Sequence, residues 1–212
     1  NKTVSIGPGN FFGEMSLISG RRRSATITAG KNCIVIETPR RSMNKLINSV
    51  ESVKRVINDT FISRAIKMHI APGLDDEEIS EVVASATLSE FKPNEIIFNE
   101  GDAGDSLHLI RSGSVTVSKI IGGKTTTLAY LPAGNHFGEM ALLNDAPRSA
   151  TIKTAVATET IVLKGKEFRN LLSKNPETKK KLEALSEARR LSNTTKKSGQ
   201  GTDIVEFMME QG

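Results

Sequence analysis

Between residues 88 and 128, short runs with alternating apolar positions are broken by turn-forming clusters. Residues 96–98 (Ile-Ile-Phe), 107–110 (Leu-His-Leu-Ile), 115–117 (Val-Thr-Val) and 125–131 read as strands. The turns between them are residues 100–105 (Glu-Gly-Asp-Ala-Gly-Asp), Ser112-Gly113-Ser114, and a hairpin at Ile121-Gly122-Gly123-Lys124. Two more strands follow, over residues 149–154 and 159–163. Short strands at this spacing predict a β-sandwich or small barrel.

Helical spacing takes over on either side. Asn48 with Glu51 three positions later has the form of a capping box, and Val50, Val53, Ile57 and Phe61 follow at helical intervals. Ala71-Pro72-Gly73 ends that helix. A second helix begins at Asp75, where Asp76, Glu77 and Glu78 suit the positive N-terminal dipole, and continues through Ile79, Val82 and Val83. A third begins at Asn175-Pro176-Glu177 and carries Leu182, Leu185 and Leu191 as an apolar stripe. Residues 192–203, rich in Ser, Thr, Lys and Gly, have the composition of a flexible linker.

The pattern contains a repeat. Residues 1–47 laid over 126–172 give fourteen identities. Phe12-Gly13-Glu14-Met15-Ser16-Leu17 returns as Phe137-Gly138-Glu139-Met140-Ala141-Leu142. Arg23-Ser24-Ala25-Thr26-Ile27 returns as Arg148-Ser149-Ala150-Thr151-Ile152. A unit this long is a duplicated domain rather than a solenoid repeat. The first copy matches the second in the motif, the strands after it and one helix, and lacks the strands that the second copy has upstream. Half a sandwich leaves its apolar face uncovered, so the first copy needs residues or a chain beyond those in hand to complete its sheet. The expected fold is therefore mainly β with flanking α-helices, a sandwich in one complete copy and one N-terminally truncated copy. The expected divisions are residues 1–47 (C-terminal part of a first module), 48–73 (connecting helix), 74–191 (complete second module) and 192–212 (linker or tail).

Composition narrows the function. No apolar run is long enough to span a membrane, and the first residues show no signal-peptide pattern. The single cysteine, Cys33, cannot form an internal disulfide, and its apolar surroundings predict a buried, inert thiol. A cytoplasmic location is expected. The net charge of +5 favours an anionic ligand or partner. Aromatics make up 4% of the chain, which offers no stacking platform, and no recognition-helix pair is evident, so the segment does not read as a nucleic-acid binder. His69, His108 and His136 lack metal-ligand spacing, and no catalytic pair stands out. The segment reads as a non-enzyme, with no metal.

The repeated motif supplies anion chemistry. Gly138 allows a ligand close to the backbone, and the turn over residues 139–143 has free N–H groups that suit phosphate. Arg148 brings a planar fork of donors and Ser149 a hydroxyl. Glu139 would repel phosphate, but it can accept from a sugar hydroxyl. Phosphate plus sugar means a nucleotide, and no P-loop lysine or acidic metal cluster points to a triphosphate with magnesium.

The pattern F-G-E-x-(A/S)-L followed by R-S-A-T resembles the phosphate-binding cassette of the cyclic nucleotide-binding domain family, which includes protein kinase regulatory subunits and the catabolite activator protein. The stretch from Glu100 to Leu107, with Gly113-Ser114-Val115, resembles that family's upstream signature. The resemblance implies that Gly138, Met140 and Ala141 meet the cyclic phosphate and ribose, that Glu139 accepts from the ribose 2′-hydroxyl, and that Arg148, Ser149 and Ala150 hold the exocyclic oxygens. Val117, Leu128 and Ala129 match base-side positions. Gly13, Glu14, Met15, Ser16, Arg23, Ser24 and Ala25 take the same roles in the first copy, where Arg22 stands in place of Pro147.

The resemblance also implies a double-stranded β-helix (jelly-roll-like) form for the sandwich, and a mechanism. Leu142, or Leu17, would press on the hinge before the helix over residues 167–172, or before 42–47, and the helix over 176–191 would close as a lid offering Leu182, Leu185, Arg189 and Arg190. The implied ligand is a cyclic nucleotide, cAMP ahead of cGMP. The implied partner is an effector domain or protein outside the segment, and a homodimer is compatible with this. Two alternatives stay open: the regulatory segment of a larger enzyme such as a kinase, and a degenerate, ligand-free interaction module. A transcription factor of the catabolite-activator type is disfavoured by the absence of a helix-turn-helix in residues 192–212.

Overall fold

A computed structural model describes residues 5–23 and 25–195. Ser24 and residues 196–212, the greater part of the expected tail, lie outside the described residues.

The complete module is built from eight strands: β1 (Thr87–Phe91), β2 (Ile96–Phe98), β3 (Ser106–Ser112), β4 (Ser114–Ile121), β5 (Lys124–Pro132), β6 (His136–Phe137), β7 (Thr151–Thr154) and β8 (Thr158–Lys164). They pair antiparallel into two four-stranded sheets, β1-β8-β3-β6 and β2-β7-β4-β5. This is the mainly-β sandwich with flanking helices that the alternation predicts, in the jelly-roll form that the resemblance implies.

Strand periodicity sorts the side chains of the first sheet into two cores. Leu107, Leu109, Ile161 and Leu163 point away from the second sheet and are sealed by helices. Ile110 points inward to Val115, Phe137 and Ile152 of the inter-sheet core.

The helices covering the outer face are α3 (Glu51–His69), α4 (Asp76–Ser85), α6 (Gly165–Lys174) and α7 (Pro176–Thr195). In α3 the buried positions Ile57, Phe61, Ile62, Ala65 and Ile66 form one helical stripe. The start of α4 is a capping box: Asp75 Oδ1 accepts from Glu78 N at 2.9 Å, and Glu78 Oε2 accepts from Asp75 N at 2.8 Å. Asn175 Oδ1 caps α7 by accepting from Thr178 N at 2.9 Å. That helix continues through Thr195, four residues into the stretch that composition reads as linker.

Three expectations are corrected. Asn48 is no N-cap: α2 (Arg40–Ser49) runs through it, and α3 starts after an extended Val50 without a side-chain cap. The first copy keeps its cassette helix, α1 (Glu14–Ser19), but no strand is formed among the described residues of 25–39. Ile34 and Ile36 stand 96% and 93% exposed. The counterparts of this stretch, β7 and β8, are hydrogen-bonded to β2, β4, β1 and β3, which have no equivalent in residues 5–23. A strand sequence without a partner leaves its backbone to water. Cys33 is exposed for the same reason.

Candidate functional site

The second cassette is the short helix α5 (Glu139–Asn144) and the loop after it. Gly138 precedes the helix at φ 90°, ψ −5°, a region L side chains avoid. A Cβ there would lie 2.6 Å from Arg148 Nη1 and 2.8 Å from the Ser106 carbonyl oxygen. Glycine is thus required twice, for its dihedral angles and for the close approach of Arg148.

Arg148 is almost wholly buried, at 4% exposure. Its backbone ties it to the 100–105 turn: Arg148 N donates to Asp102 O at 2.8 Å, and Gly101 N donates to Arg148 O at 2.9 Å. Nη1 donates to the Ser106 carbonyl at 2.7 Å and to the Gly138 carbonyl at 3.0 Å, and Nη2 donates to Ser106 Oγ at 3.0 Å. Cζ lies 4.1 Å from the centroid of the Phe98 ring, a cation–π contact. A guanidinium has five N–H groups in a rigid fork, and three are used in this way. Nε is buried with no hydrogen-bond partner among the described residues. The second Nη2 hydrogen has only Asp105 Oδ1, at 3.8 Å and on a side chain 93% exposed. What remains is the side edge, Nε with Nη2, which is the edge that takes a bidentate oxyanion. Burial lowers the pKa of Arg148, and Asp105, Glu139 and Asp102 oppose the shift.

The other expected residues fall around this fork. Glu139 and Ala141 are buried, and Met140 and Ser149 are half-buried. The Ser149 hydroxyl lies 3.5 Å from Met140 Sδ. Ala150 is buried immediately before β7. Val117 pairs with Ala129 across β4 and β5, and Leu128 is the extra residue of the bulge that shifts the register there.

Leu142, which the switching scheme sets against the hinge, is 5% exposed in the helical core. Leu182 of α7 lies in the same core rather than on an open face, whereas Leu185 is 47% exposed. Ser186 of α7 is buried and its Oγ lies 3.5 Å from Asn144 Nδ2 of α5. The side chains of Arg189 and Arg190 lie outside the described residues.

The first cassette repeats the local geometry in a different setting. Gly13 has φ 95°, ψ −2°, and Arg23 Nη1 donates to the Gly13 carbonyl at 3.2 Å, as Arg148 does to Gly138. Arg23 and Ala25, however, are exposed. Ser16 Oγ donates to the Gly13 carbonyl at 3.2 Å, and Met15 packs against the second module's helical core. Glu14 is buried at 3%, with Arg64 Nη1 of α3 at 2.6 Å from its Oε2, an ion pair whose direction is not that of a hydrogen bond. Arg64 Nη2 also donates to the Phe11 carbonyl at 2.7 Å. Arg21 reaches across to the Ala133 carbonyl of the second module.

Sequence reasoning missed Ser106 and Phe98, which hold Arg148, and Lys119, whose Nζ lies 3.3 Å from the Ser149 carbonyl and 3.1 Å from Glu100 Oε1. The adjacent turn over residues 100–105 was the one available pointer. No cluster of potential metal ligands exists among the described residues, and none of their helices is long and apolar enough to cross a membrane.

Known proteins resemble this chain in sequence and in fold. The family profile "Cyclic nucleotide-binding domain" matches residues 2–50 and 88–175. A cAMP-dependent protein kinase regulatory subunit of Yarrowia lipolytica is 32% identical over 171 residues, 81% of this chain and 44% of the relative. A cGMP-dependent protein kinase of Plasmodium berghei is 32% identical over 151 residues, 71% of this chain and 17% of the relative. The chain thus spans less than half the length of these relatives. Among solved structures, the regulatory domain of Toxoplasma gondii PKA with cAMP superposes with TM-score 0.58 at 25% identity, covering 86% of this chain and 69% of that one. The catabolite activator protein of Thermus thermophilus superposes with TM-score 0.50 at 34% identity, covering 58% of each.

Proposed function

Because the chain belongs to the cyclic nucleotide-binding domain family, we propose that its second cassette binds a cyclic nucleotide and that the segment is a regulatory sensor rather than an enzyme. The cyclic phosphate sits on the side edge of Arg148, with Gly138, Met140, Ala141, Ser149 and Ala150 around it. Glu139 accepts from the ribose 2′-hydroxyl, and Val117, Leu128 and Ala129 line the base. The observation that carries this reading is the buried guanidinium whose end is fixed by Ser106 while Nε has no partner. A buried donor left unpaired costs about 1–3 kcal/mol, and an oxyanion removes that cost. We put cAMP ahead of cGMP, a choice supported by the cAMP named for the Yarrowia lipolytica and Toxoplasma gondii relatives.

Binding reaches an effector, a kinase catalytic subunit or a domain of the same protein, through α5 and α7, which meet at Asn144 and Ser186. A ligand moves α7 only as far as it prefers one position of that helix to another. The test is thermal denaturation and calorimetry with cAMP and cGMP. Ligand at a hundred times its dissociation constant stabilises by ~2.7 kcal/mol, and Arg148→Ala abolishes the shift. No shift with either nucleotide overturns the reading.

A second reading, of a cassette without ligand, is favoured at the first copy by one observation. Arg64 already occupies Glu14, the residue that would take the ribose hydroxyl. There Glu14, paired with Arg64, serves to dock α1 on α3.

A further inference from the structure

The inter-sheet core of the second module contains Ile110, Val115, Phe137 and Ile152, with Ile97 and Phe98 at its margin. His108 projects from β3 into that same core at 7% exposure, and the proposed function gives it no part. Its ring stacks on Phe137, with centroids 5.0 Å apart and planes 9° from parallel, and is tilted against Phe98 at 6.1 Å. Phenylalanine would fill this place without the cost of burying two ring nitrogens. Both nitrogens have partners: Nδ1 lies 3.2 Å from Thr160 Oγ1 and Nε2 lies 3.4 Å from Ser106 Oγ.

Ser106 Oγ is the atom that accepts from Arg148 Nη2. Its one proton goes to Asp105 Oδ1, at 3.0 Å, which leaves a second lone pair facing His108 Nε2. Nε2–H donates to that lone pair, and Nδ1 accepts from the Thr160 hydroxyl. A protonated ring would turn Nδ1 into a donor against Thr160 and would place a cation beside the guanidinium.

The setting keeps the ring neutral. Burial, and secondly the charge of Arg148, lower its pKa to about 4, with Asp105 acting the other way. The groups packed on the ring from β2, β6 and β8, namely Phe98, Phe137 and Thr160, carry no charge.

We infer that His108 is a positioning residue for the anion-binding arginine: as a neutral donor it holds Ser106 Oγ, which fixes Nη2 of Arg148 and leaves the Nε edge free for the ligand. This rests on the proposed function for the ligand's identity, though not for the arrangement of the arginine.

The test uses the whole chain as wild type, His108→Phe and His108→Gln. Two measurements are made: ¹⁵N NMR of the Arg148 side chain in the ligand-free protein, and calorimetric titration with cAMP and cGMP. At pH 7 the wild type gives separate, slowly rotating Nη signals, and these merge in His108→Phe. Nucleotide affinity in His108→Phe falls about tenfold, the equivalent of ~1.4 kcal/mol. His108→Gln, a neutral side chain that can donate at the same place, keeps the signals and the affinity. As pH falls to 4 the wild type loses the separate signals and His108→Gln retains them, a difference that packing alone would not produce. Unchanged Arg148 signals in His108→Phe, or the same pH response in wild type and His108→Gln, overturn the inference. If His108→Phe does not fold, the pH comparison decides alone. If the wild type binds neither nucleotide, the proposed function fails and the NMR result still stands for or against His108.

Discussion

Alanine at Gly138 and at Gly13 would separate backbone strain from displacement of the arginine. The two glycines have nearly the same dihedral angles, φ 90° and 95°. Forcing an L residue into this region costs roughly 1–2 kcal/mol, and both variants lose that much. The surroundings differ. At Gly13 the new Cβ meets only Arg23, with Nη1 at 2.5 Å, and this exposed side chain can move into water. At Gly138 it meets Arg148 Nη1 at 2.6 Å and the Ser106 backbone oxygen at 2.8 Å. Neither can withdraw, because Arg148 is held from four sides. Displacing Nη1 gives up bonds to two carbonyls, and a hydrogen bond involving a charged group contributes about 1.5–3 kcal/mol. Gly138→Ala should therefore cost about 2–3 kcal/mol more than Gly13→Ala. At this chain length that is a melting point roughly 4–12 °C lower. The assay is differential scanning calorimetry of both variants, with urea denaturation as a check. Equal losses would refute the view that Arg148 is fixed by backbone contacts.

Acid should destabilise the fold through His108. Its folded-state pKa of about 4 lies below the ordinary 6.5, so the unfolded chain takes up the proton first. Stability falls as pH drops from 6.5 towards 4, by up to about 3 kcal/mol, and urea titrations at several pH values should show a flatter profile for His108→Gln. Arg64→Ala leaves the buried Glu14 carboxylate without its counter-charge. Since Arg64 is 30% exposed, the loss should be about 2 kcal/mol, below the 3–5 kcal/mol of a fully buried pair, and Glu14→Gln in the same chain should recover most of it in a double-mutant cycle. Leu142→Ala should cost about 2–5 kcal/mol by opening a cavity between α5 and the helical core, measured by the same denaturation.

What was legible in the sequence was local. The alternation in β3, β4 and β5 and the glycine turns between them predict strands because each side chain reports its own face of the sheet. The Gly138-Glu139 turn repeats at Gly13-Glu14 because its geometry is set within ten residues. Two strands escaped. The sheet-edge strand β1 has no fully buried side chain to mark a face, and β6 has two residues. The partners of Arg148 also escaped: Ser106 and Phe98 are 42 and 50 positions upstream, and nothing in a serine or a strand phenylalanine announces an arginine across the sandwich. Ile34, Val35 and Ile36 show the converse. They have the composition of a strand, yet strand formation depends on partners that the segment itself cannot encode.

On the proposed reading, that difference in partners separates the two cassettes as anion sites. Arg23 and Arg148 make the same short-range bond to their glycine carbonyls, at 3.2 and 3.0 Å. Only Arg148 is walled by strands, so only its charge acts through protein rather than water. At 4 Å a pair of unit charges is worth about 1 kcal/mol in bulk water and about 4 kcal/mol at the effective dielectric near a protein surface. Arg64 further biases the first copy by neutralising Glu14. Calorimetry should therefore find one cyclic nucleotide per chain. Arg148→Ala should weaken binding by at least about 2–5 kcal/mol, since a ligand charge would be left unpaired. Arg23→Ala should leave affinity and stoichiometry where they were. Two equivalent sites, or a loss with Arg23→Ala as large as that with Arg148→Ala, would show that a few local bonds are enough to build the site and that burial is not what distinguishes the copies.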